Sequence, residues 1–132
     1  MWIGDAPPIG YSVSRNGFDC VVLMAQEYQP HGCYQMVDAI HAPIDDAILI
    51  EEEARRAVTA AREVISRLGR GETVLVTCAA GLNRSGLVCG LVLTGGTARM
   101  SPDRAIALIR AVRGPDALSN VTFTDFIRRM AS

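Results

Sequence analysis

Apolar positions along the chain change their spacing several times, and each spacing predicts a different element. Runs that are apolar at nearly every position predict strands buried on both faces at residues 18–24 and 73–77. Shorter apolar stretches predict two further strands, one at residues 2–5 and one within residues 34–41. A short turn or helix is expected at residues 11–16. The pattern therefore places the predicted strands before residue 78.

Longer segments repeat their apolar residues every three to four positions, which predicts helices. The first helix is expected at residues 48–68, and its three early glutamates, at positions 51–53, are expected on a solvated face. The next helix, residues 84–93, is apolar after its first turn, which predicts a buried central helix. The inward residues expected in the first helix are Ala54, Ala57, Val58, Ala61, Ile65 and Leu68.

Two more helices follow toward the C-terminus. Ser101 is a favourable N-cap and Pro102 suits the first helical position, while Gly114 ends the same helix. A last helix is expected at residues 117–130. The inward residues expected are Ala105, Ile106, Leu108, Ile109 and Val112 in the first of these, and Phe123, Phe126 and Ile127 in the second.

Strands that alternate with helices predict parallel pairs joined by helical crossovers. We therefore expect an α/β fold, a single three-layer domain at residues 1–132 with a central, mostly parallel sheet of four to five strands flanked by helices. The 132 residues are 49% hydrophobic and 20% charged, a balance typical of a globular domain with a substantial core.

Charge and hydropathy exclude several classes of partner. The formal net charge is −1, so the composition gives no indication of a basic surface that would bind nucleic acid. No segment is long and apolar enough to span a membrane, and the acidic Asp5 near the N-terminus is unlike a signal peptide. A cytoplasmic protein, more readily a monomer than an oligomer, is the expectation.

Candidate chemistry is concentrated at the end of the strand at residues 73–77. Cys78 follows that strand, five residues separate it from Arg84, and a helix begins there. A tight loop that closes into a helix points its N–H groups inward, and these groups with the helix dipole form an anion site. Gly81 permits the backbone conformation that such a loop needs. The field favours a thiolate at Cys78, and the planar fork of Arg84 matches two oxygens of a phosphoryl group.

The stretch Cys78-Ala79-Ala80-Gly81-Leu82-Asn83-Arg84-Ser85-Gly86 resembles the Cys-x5-Arg-Ser/Thr signature of the cysteine-dependent protein tyrosine phosphatases. The small chain is similar to the compact dual-specificity subgroup, and residues 105–123 resemble the C-terminal helix pair of that subgroup. One departure is Thr77, which stands where the family usually has a His that orders the loop.

The resemblance implies a role for each residue of this loop. Cys78 would be the nucleophile, and Ser85 would donate a hydrogen bond to its thiolate and help it leave. The oxygens of the phosphate would be held by Arg84 and by the loop residues Ala79, Ala80, Gly81, Leu82, Asn83 and Arg84.

The resembled family also places a general-acid Asp on a loop about thirty residues before the cysteine. Ile44-Asp45-Asp46 matches this pattern, which makes Asp46 the candidate acid and Asp45 the second choice. The alternative is that both carboxylates cap the helix that follows.

The four cysteines lack the spacing of a metal site, and His31 and His41 stand apart from them, so neither a metal nor another cofactor is expected. Cys20 and Cys89 lie in apolar runs and are interpreted as core residues. A regulatory disulfide between Cys78 and Cys20, Cys33 or Cys89 stays open.

The leading hypothesis is a metal-independent phosphomonoester phosphatase of the protein tyrosine or dual-specificity type, which acts on a phosphorylated protein or small phosphoester. Asn83 before Arg84 is similar to the RNA 5′-phosphatase branch, although the charge balance opposes RNA. A non-catalytic phosphate-binding module is the other alternative, favoured only by Thr77. Sulfur-transfer or arsenate-reducing enzymes also use cysteine loops, but they need no upstream acid.

Overall fold

A sheet of short parallel strands carries the Cys78 loop at the end of an interior strand. The computed structural model describes residues 1–5, 16–25 and 38–131. In this part of the chain the strands are β1 (Trp2–Gly4), β2 (Cys20–Leu23), β3 (Asp38–His41) and β4 (Val74–Thr77). Their order is β1-β4-β2-β3, and each neighbouring pair is parallel. The predicted α/β fold with a parallel sheet is confirmed.

Burial within the sheet follows the sequence pattern. All residues of β2 and β4 are buried, because both interior strands are apolar on both faces. β3 lies at an edge, and only Ile40 of that strand is buried. The carboxyl ends of β2 and β4 lie in register, Leu23 beside Thr77, so the residue after Thr77 leaves the sheet at its centre.

The helices are α1 (Glu51–Gly69), α2 (Arg84–Gly95), α3 (Pro102–Arg113) and α4 (Val121–Ala131). α2 contacts the other three helices as well as β4 and β1. Its residues are buried from Arg84 to Val92, which confirms the prediction of a buried central helix. None of the described helices combines the length and the apolar character needed to cross a membrane.

α1 differs from its prediction in where it begins and in which face is buried. It begins at Glu51, and Ile50 occupies the N-cap without a side-chain hydrogen bond. Its buried residues are Glu53, Ala57, Ala60, Ala61 and Val64. The prediction of three solvated glutamates is therefore wrong for Glu53, because Glu53 turns inward and its Oε2 accepts a hydrogen bond from the backbone N–H of Asp45 at 2.7 Å.

The two C-terminal helices agree with the sequence at their cores and differ at their margins. Ser101 caps α3 as predicted, since its Oγ accepts a hydrogen bond from the N–H of Arg104. Leu108 and Val112 were expected inward but are 43% and 66% exposed, because they line an open pocket between α3 and β1. α4 begins only at Val121, because the chain turns at Leu118, where φ is 55°. The predicted element at residues 11–16, Asn16 excepted, and residues 34–37 of the third predicted strand lie outside the described residues.

Candidate active site

The loop between β4 and α2 wraps around the sulfur of Cys78. Cys78 follows β4 directly and is only 2% exposed. The backbone N–H of Gly81 donates a hydrogen bond to its Sγ at 3.2 Å. One backbone donor of the loop is therefore directed at the sulfur of Cys78.

Gly81 allows this loop to lie directly against β1. Its φ is +69°, and a Cβ at this position would lie 2.5 Å from the carbonyl oxygen of Gly4 and 2.7 Å from the backbone nitrogen of Asp5. Only glycine meets both the positive φ and the close approach of another backbone. The role predicted for Gly81 is therefore confirmed, and β1 is the neighbour that makes it necessary.

Arg113 orients the peptide groups of the loop from behind. Its Nε donates to the carbonyl oxygen of Gly81 at 3.1 Å, and its Nη2 donates to that of Ala80 at 3.0 Å. In a planar trans peptide the C=O and N–H point in opposite directions. Because Arg113 holds the carbonyl of Ala80, the N–H of the same peptide group, which belongs to Gly81, points at Cys78. The last residue of α3 thus sets the direction of the donors.

Arg84 connects the loop to the segment that carries the predicted acid. It begins α2 and is 8% exposed, and its Nη1 donates to the carbonyl oxygen of Ile44 at 3.2 Å. Its guanidinium therefore lies between the loop and the Ile44–Asp46 segment. The structure brings these two sequence-distant segments together.

Asp46 lies at the mouth of this site. Its Oδ2 accepts a hydrogen bond from the amide of Asn83 at 3.0 Å, and its Oδ1 accepts one from the amide of Asn120 at 3.0 Å. Asp45 contributes its backbone N–H to Glu53 instead. The alternative in which Asp45 or Asp46 caps a helix is wrong, because Ile50 occupies the N-cap of α1 without any side-chain hydrogen bond.

The hydroxyl groups of Ser85 and Thr77, at the two ends of the loop, have different surroundings. The predicted hydrogen bond from Ser85 to Cys78 is not formed, and the buried Oγ of Ser85 has no hydrogen-bond partner among the described residues. Thr77 uses its hydroxyl within the sheet, where Oγ1 donates to the carbonyl oxygen of Val22 at 2.7 Å. Its hydroxyl therefore secures the strand that carries the loop.

The remaining described cysteines belong to the core, as predicted. Burial raises the pKa of Cys20 to about 11 and the pKa of Cys89 to about 12. Both are therefore neutral thiols at physiological pH, and Cys20, Cys78 and Cys89 are all free. Cys33 and His31 lie outside the described residues. Within residues 1–5, 16–25 and 38–131, no group of three or more His, Cys, Asp or Glu side chains is arranged to hold a metal ion.

Sequence reasoning missed three residues that shape the site: Glu53, Arg113 and Asn120. The charge pattern of α1 predicts a solvated Glu53, and Arg113 and Asn120 lie within the segment that resembles the C-terminal helix pair without a contact that the sequence indicates. A weak signal existed for Arg113, since it directly precedes the helix-ending Gly114, where an arginine can reach backbone carbonyls. Which carbonyls it reaches is set by the packing of α3 against α2.

No protein-family model matches the sequence, and no curated protein matches it. Solved structures do resemble the fold. Human DUSP28 superimposes with a TM-score of 0.83 at 20% identity, over 98% of this chain and 90% of that one. A mutant form of Tk-PTP gives 0.80 at 22% identity, over 96% and 86%. The kinase-associated phosphatase (KAP), with its catalytic-site cysteine substituted by serine, gives 0.77 at 21% identity, over 89% and 71%. The chain therefore has the fold of these phosphatases.

Proposed function

We propose that this protein is a metal-independent phosphomonoester phosphatase of the dual-specificity type, which acts through a cysteinyl-phosphate intermediate. The observation that carries the proposal is that hydrogen bonds join the segment of Asp46 to Asn83 and Arg84, at the end of the loop that begins at Cys78. Arg84 is hydrogen-bonded to Ile44, and Asp46 is hydrogen-bonded to Asn83. Nucleophile, oxyanion donors and acid are the three functions that transfer of a phosphoryl group to a thiolate requires.

In the first step the thiolate of Cys78 attacks phosphorus, and an S–P bond forms as the ester P–O bond breaks. The electron pair of that bond goes to the leaving oxygen, which takes a proton from the carboxyl group of Asp46. The charge on the equatorial oxygens is stabilised by Arg84 and by the loop N–H groups, which include that of Gly81. This fixed positive environment supplies what a metal ion supplies in other phosphatases.

In the second step water attacks the phosphorus of the cysteinyl phosphate. Asp46, now a carboxylate, takes a proton from the water, an O–P bond forms and the S–P bond breaks. Inorganic phosphate leaves, and Cys78 returns to the thiolate. Ser85 is the residue proposed to assist its departure, because its buried Oγ has no hydrogen-bond partner among the described residues.

The structural neighbours support a phosphatase, and KAP is described as having a catalytic-site cysteine. We extend that chemistry to Cys78 and propose phosphorylated proteins or small phosphoesters as substrates. The RNA 5′-phosphatase alternative rests on Asn83, but the amide of Asn83 has another use, because it donates a hydrogen bond to Asp46. The alternative of a non-catalytic module rests on Thr77, but the hydroxyl of Thr77 also has another use, because it donates a hydrogen bond within the sheet.

The test is hydrolysis of p-nitrophenyl phosphate in the presence of EDTA. We expect activity in the wild type, none in Cys78→Ser, and activity in the matched control Cys89→Ser if it folds, as judged by circular dichroism. Rapid quench of Asp46→Ala followed by intact mass should show one added phosphoryl group, absent when Cys78 is also replaced. Phosphate binding without turnover would favour the binding module, and preference for 5′-triphosphorylated RNA would favour the RNA enzyme.

A further inference from the structure

Asn83 occupies the N-cap position of α2 but does not cap the helix. Asn is among the favoured N-cap residues because its side-chain oxygen can accept a hydrogen bond from the second or third N–H of the helix. Here the side chain of Asn83 makes no such bond. When a favoured N-cap residue does not form the capping hydrogen bond, its side chain is expected to have another use.

The amide of Asn83 is directed at the candidate acid and at the α3–α4 connection. Its Nδ2 donates to Oδ2 of Asp46 at 3.0 Å and to Oγ of Ser119 at 3.3 Å. Its Oδ1 accepts from the backbone N–H of Asn120 at 3.0 Å. Both ends of the amide are therefore used, which fixes its orientation.

Asn120 closes the network from the opposite side. Its Nδ2 donates to Oδ1 of Asp46 at 3.0 Å and to the carbonyl oxygen of Ala47 at 2.8 Å. Its Oδ1 accepts from the hydroxyl and the backbone N–H of Thr122. Each oxygen of the Asp46 carboxylate thus has one amide donor, and the two donors come from different segments of the chain.

Two anchors on the two oxygens restrict rotation of the carboxylate about its side-chain bonds. A carboxylate has about four lone-pair sites, so two remain for exchange of a proton with substrate or water. Holding a proton donor in place before the substrate arrives removes part of the entropic cost of proton transfer. An exposed aspartate without anchors would sample many orientations that do not reach the leaving oxygen.

We propose that the side chain of Asn83 is a positioning residue, which holds Asp46 in the orientation needed for proton transfer. This inference rests on the proposed phosphatase function. It assigns the side chain of Asn83 to the acid rather than to the phosphate, while the backbone of Asn83 remains part of the phosphate loop. It also explains how a side chain of the phosphate loop keeps an acid from a distant loop in register with the nucleophile.

The test compares two substrates whose leaving groups differ in basicity. p-Nitrophenyl phosphate releases an acidic phenol that needs little protonation, whereas phenyl phosphate releases a basic one that depends on the acid. In Asn83→Ala we expect kcat/KM to fall about tenfold more for phenyl phosphate than for p-nitrophenyl phosphate. Asp46→Ala should show the same selectivity with a larger effect, about a hundredfold.

Two controls separate positioning from general damage to the loop. Ser119→Ala removes another hydrogen-bond partner of the Asn83 amide and should keep the wild-type ratio of the two substrates. In the Asp46→Ala background, Asn83→Ala should leave the ratio unchanged, because the residue acts through that carboxylate. Equal losses on both substrates, or a changed ratio without Asp46, would overturn the proposal.

A second measurement decides the inference even if the chain hydrolyses neither substrate, which would count against the proposed function. The backbone N–H of Asp45 donates a hydrogen bond to Glu53, and that of Leu49 donates one to Thr122 Oγ1. Both N–H groups therefore report on the loop that carries Asp46, residues 44–49, which we call the acid loop. Their hydrogen exchange should accelerate about tenfold or more in Asn83→Ala and not in Ser119→Ala. Unchanged exchange in Asn83→Ala would show that Asn83 does not anchor the loop.

Discussion

Substitution of Gly81 by alanine tests how the phosphate loop is held. The added Cβ would contact the carbonyl carbon of Gly4 and lie 2.5 Å from its oxygen, where ordinary contact begins at 3.4 Å. Relief of this contact requires β1 and the loop to separate by about 1 Å, and overpacking of this kind costs about 1–3 kcal/mol. The positive φ adds about 1–2 kcal/mol for any residue other than glycine.

Two other glycines of the chain allow these terms to be separated. Gly71 has a φ of +81° but nothing within 4 Å of an added Cβ, so Gly71→Ala measures the cost of the backbone conformation alone. Gly95 lies in α2 with only Ile65 nearby, at 3.9 Å, so Gly95→Ala should be neutral or stabilising by up to about 1 kcal/mol. Gly81→Ala should therefore be less stable than Gly71→Ala by about 1–3 kcal/mol.

Urea unfolding followed by circular dichroism measures the three stabilities, and hydrolysis of p-nitrophenyl phosphate measures the effect on the site. A shift of about 1 Å in the loop would displace the Gly81 N–H from Cys78 and lower kcat by about a hundredfold. Gly71→Ala and Gly95→Ala should keep the wild-type rate. If Gly81→Ala were as stable as Gly71→Ala and fully active, the argument that β1 confines the loop would be refuted.

The remaining predictions concern the loop donors and the thiols. Arg113→Ala should weaken competitive inhibition by phosphate about tenfold or more, since hydrogen bonds from a charged donor are each worth about 1.5–3 kcal/mol. The control Arg55→Ala, at an exposed position, should have no effect. Equal inhibition of the two variants would contradict the role of Arg113. Because burial raises the pKa of Cys20 to about 11 and of Cys89 to about 12, their thiolates form only as the pH approaches those values. Iodoacetamide at neutral pH should therefore modify neither in the folded protein and both in urea, as peptide mass mapping would show; rapid labelling of the folded protein at either thiol would contradict their burial.

The acid loop is held by contacts from three other parts of the chain, two of which are distant in sequence. Glu53 holds the backbone of Asp45, Arg84 holds the carbonyl of Ile44, and Asn120 holds both Asp46 and Ala47. These anchors come from α1, α2 and the segment before α4. A loop secured from three sides is preorganised, which is what the proton transfer proposed for Asp46 requires.

Helices and strands whose apolar pattern lies within one short segment could be predicted from the amino-acid sequence. β2 is apolar at each position and β4 at each position before Thr77, which predicts interior strands. The α2 region is largely apolar after its first turn, which predicts a buried helix. The spacing from Cys78 to Arg84 and the glycine at position 81 were likewise sufficient to predict a tight loop that closes into α2. In each case the pattern lies within one short segment, so no distant contact is needed to interpret it.

The side chains that support that loop can be identified only from the folded structure. The sequence pattern suggested that Glu53 is solvated, that Val112 is buried and that Ser85 bonds the sulfur, and the packing reversed all three. Arg113 and Asn120 reach the site across more than thirty residues of chain, and their partners depend on how α3 and α4 pack against α2. Periodicity shows whether a face is apolar, but it carries no information on which backbone carbonyl or carboxylate lies opposite a polar side chain.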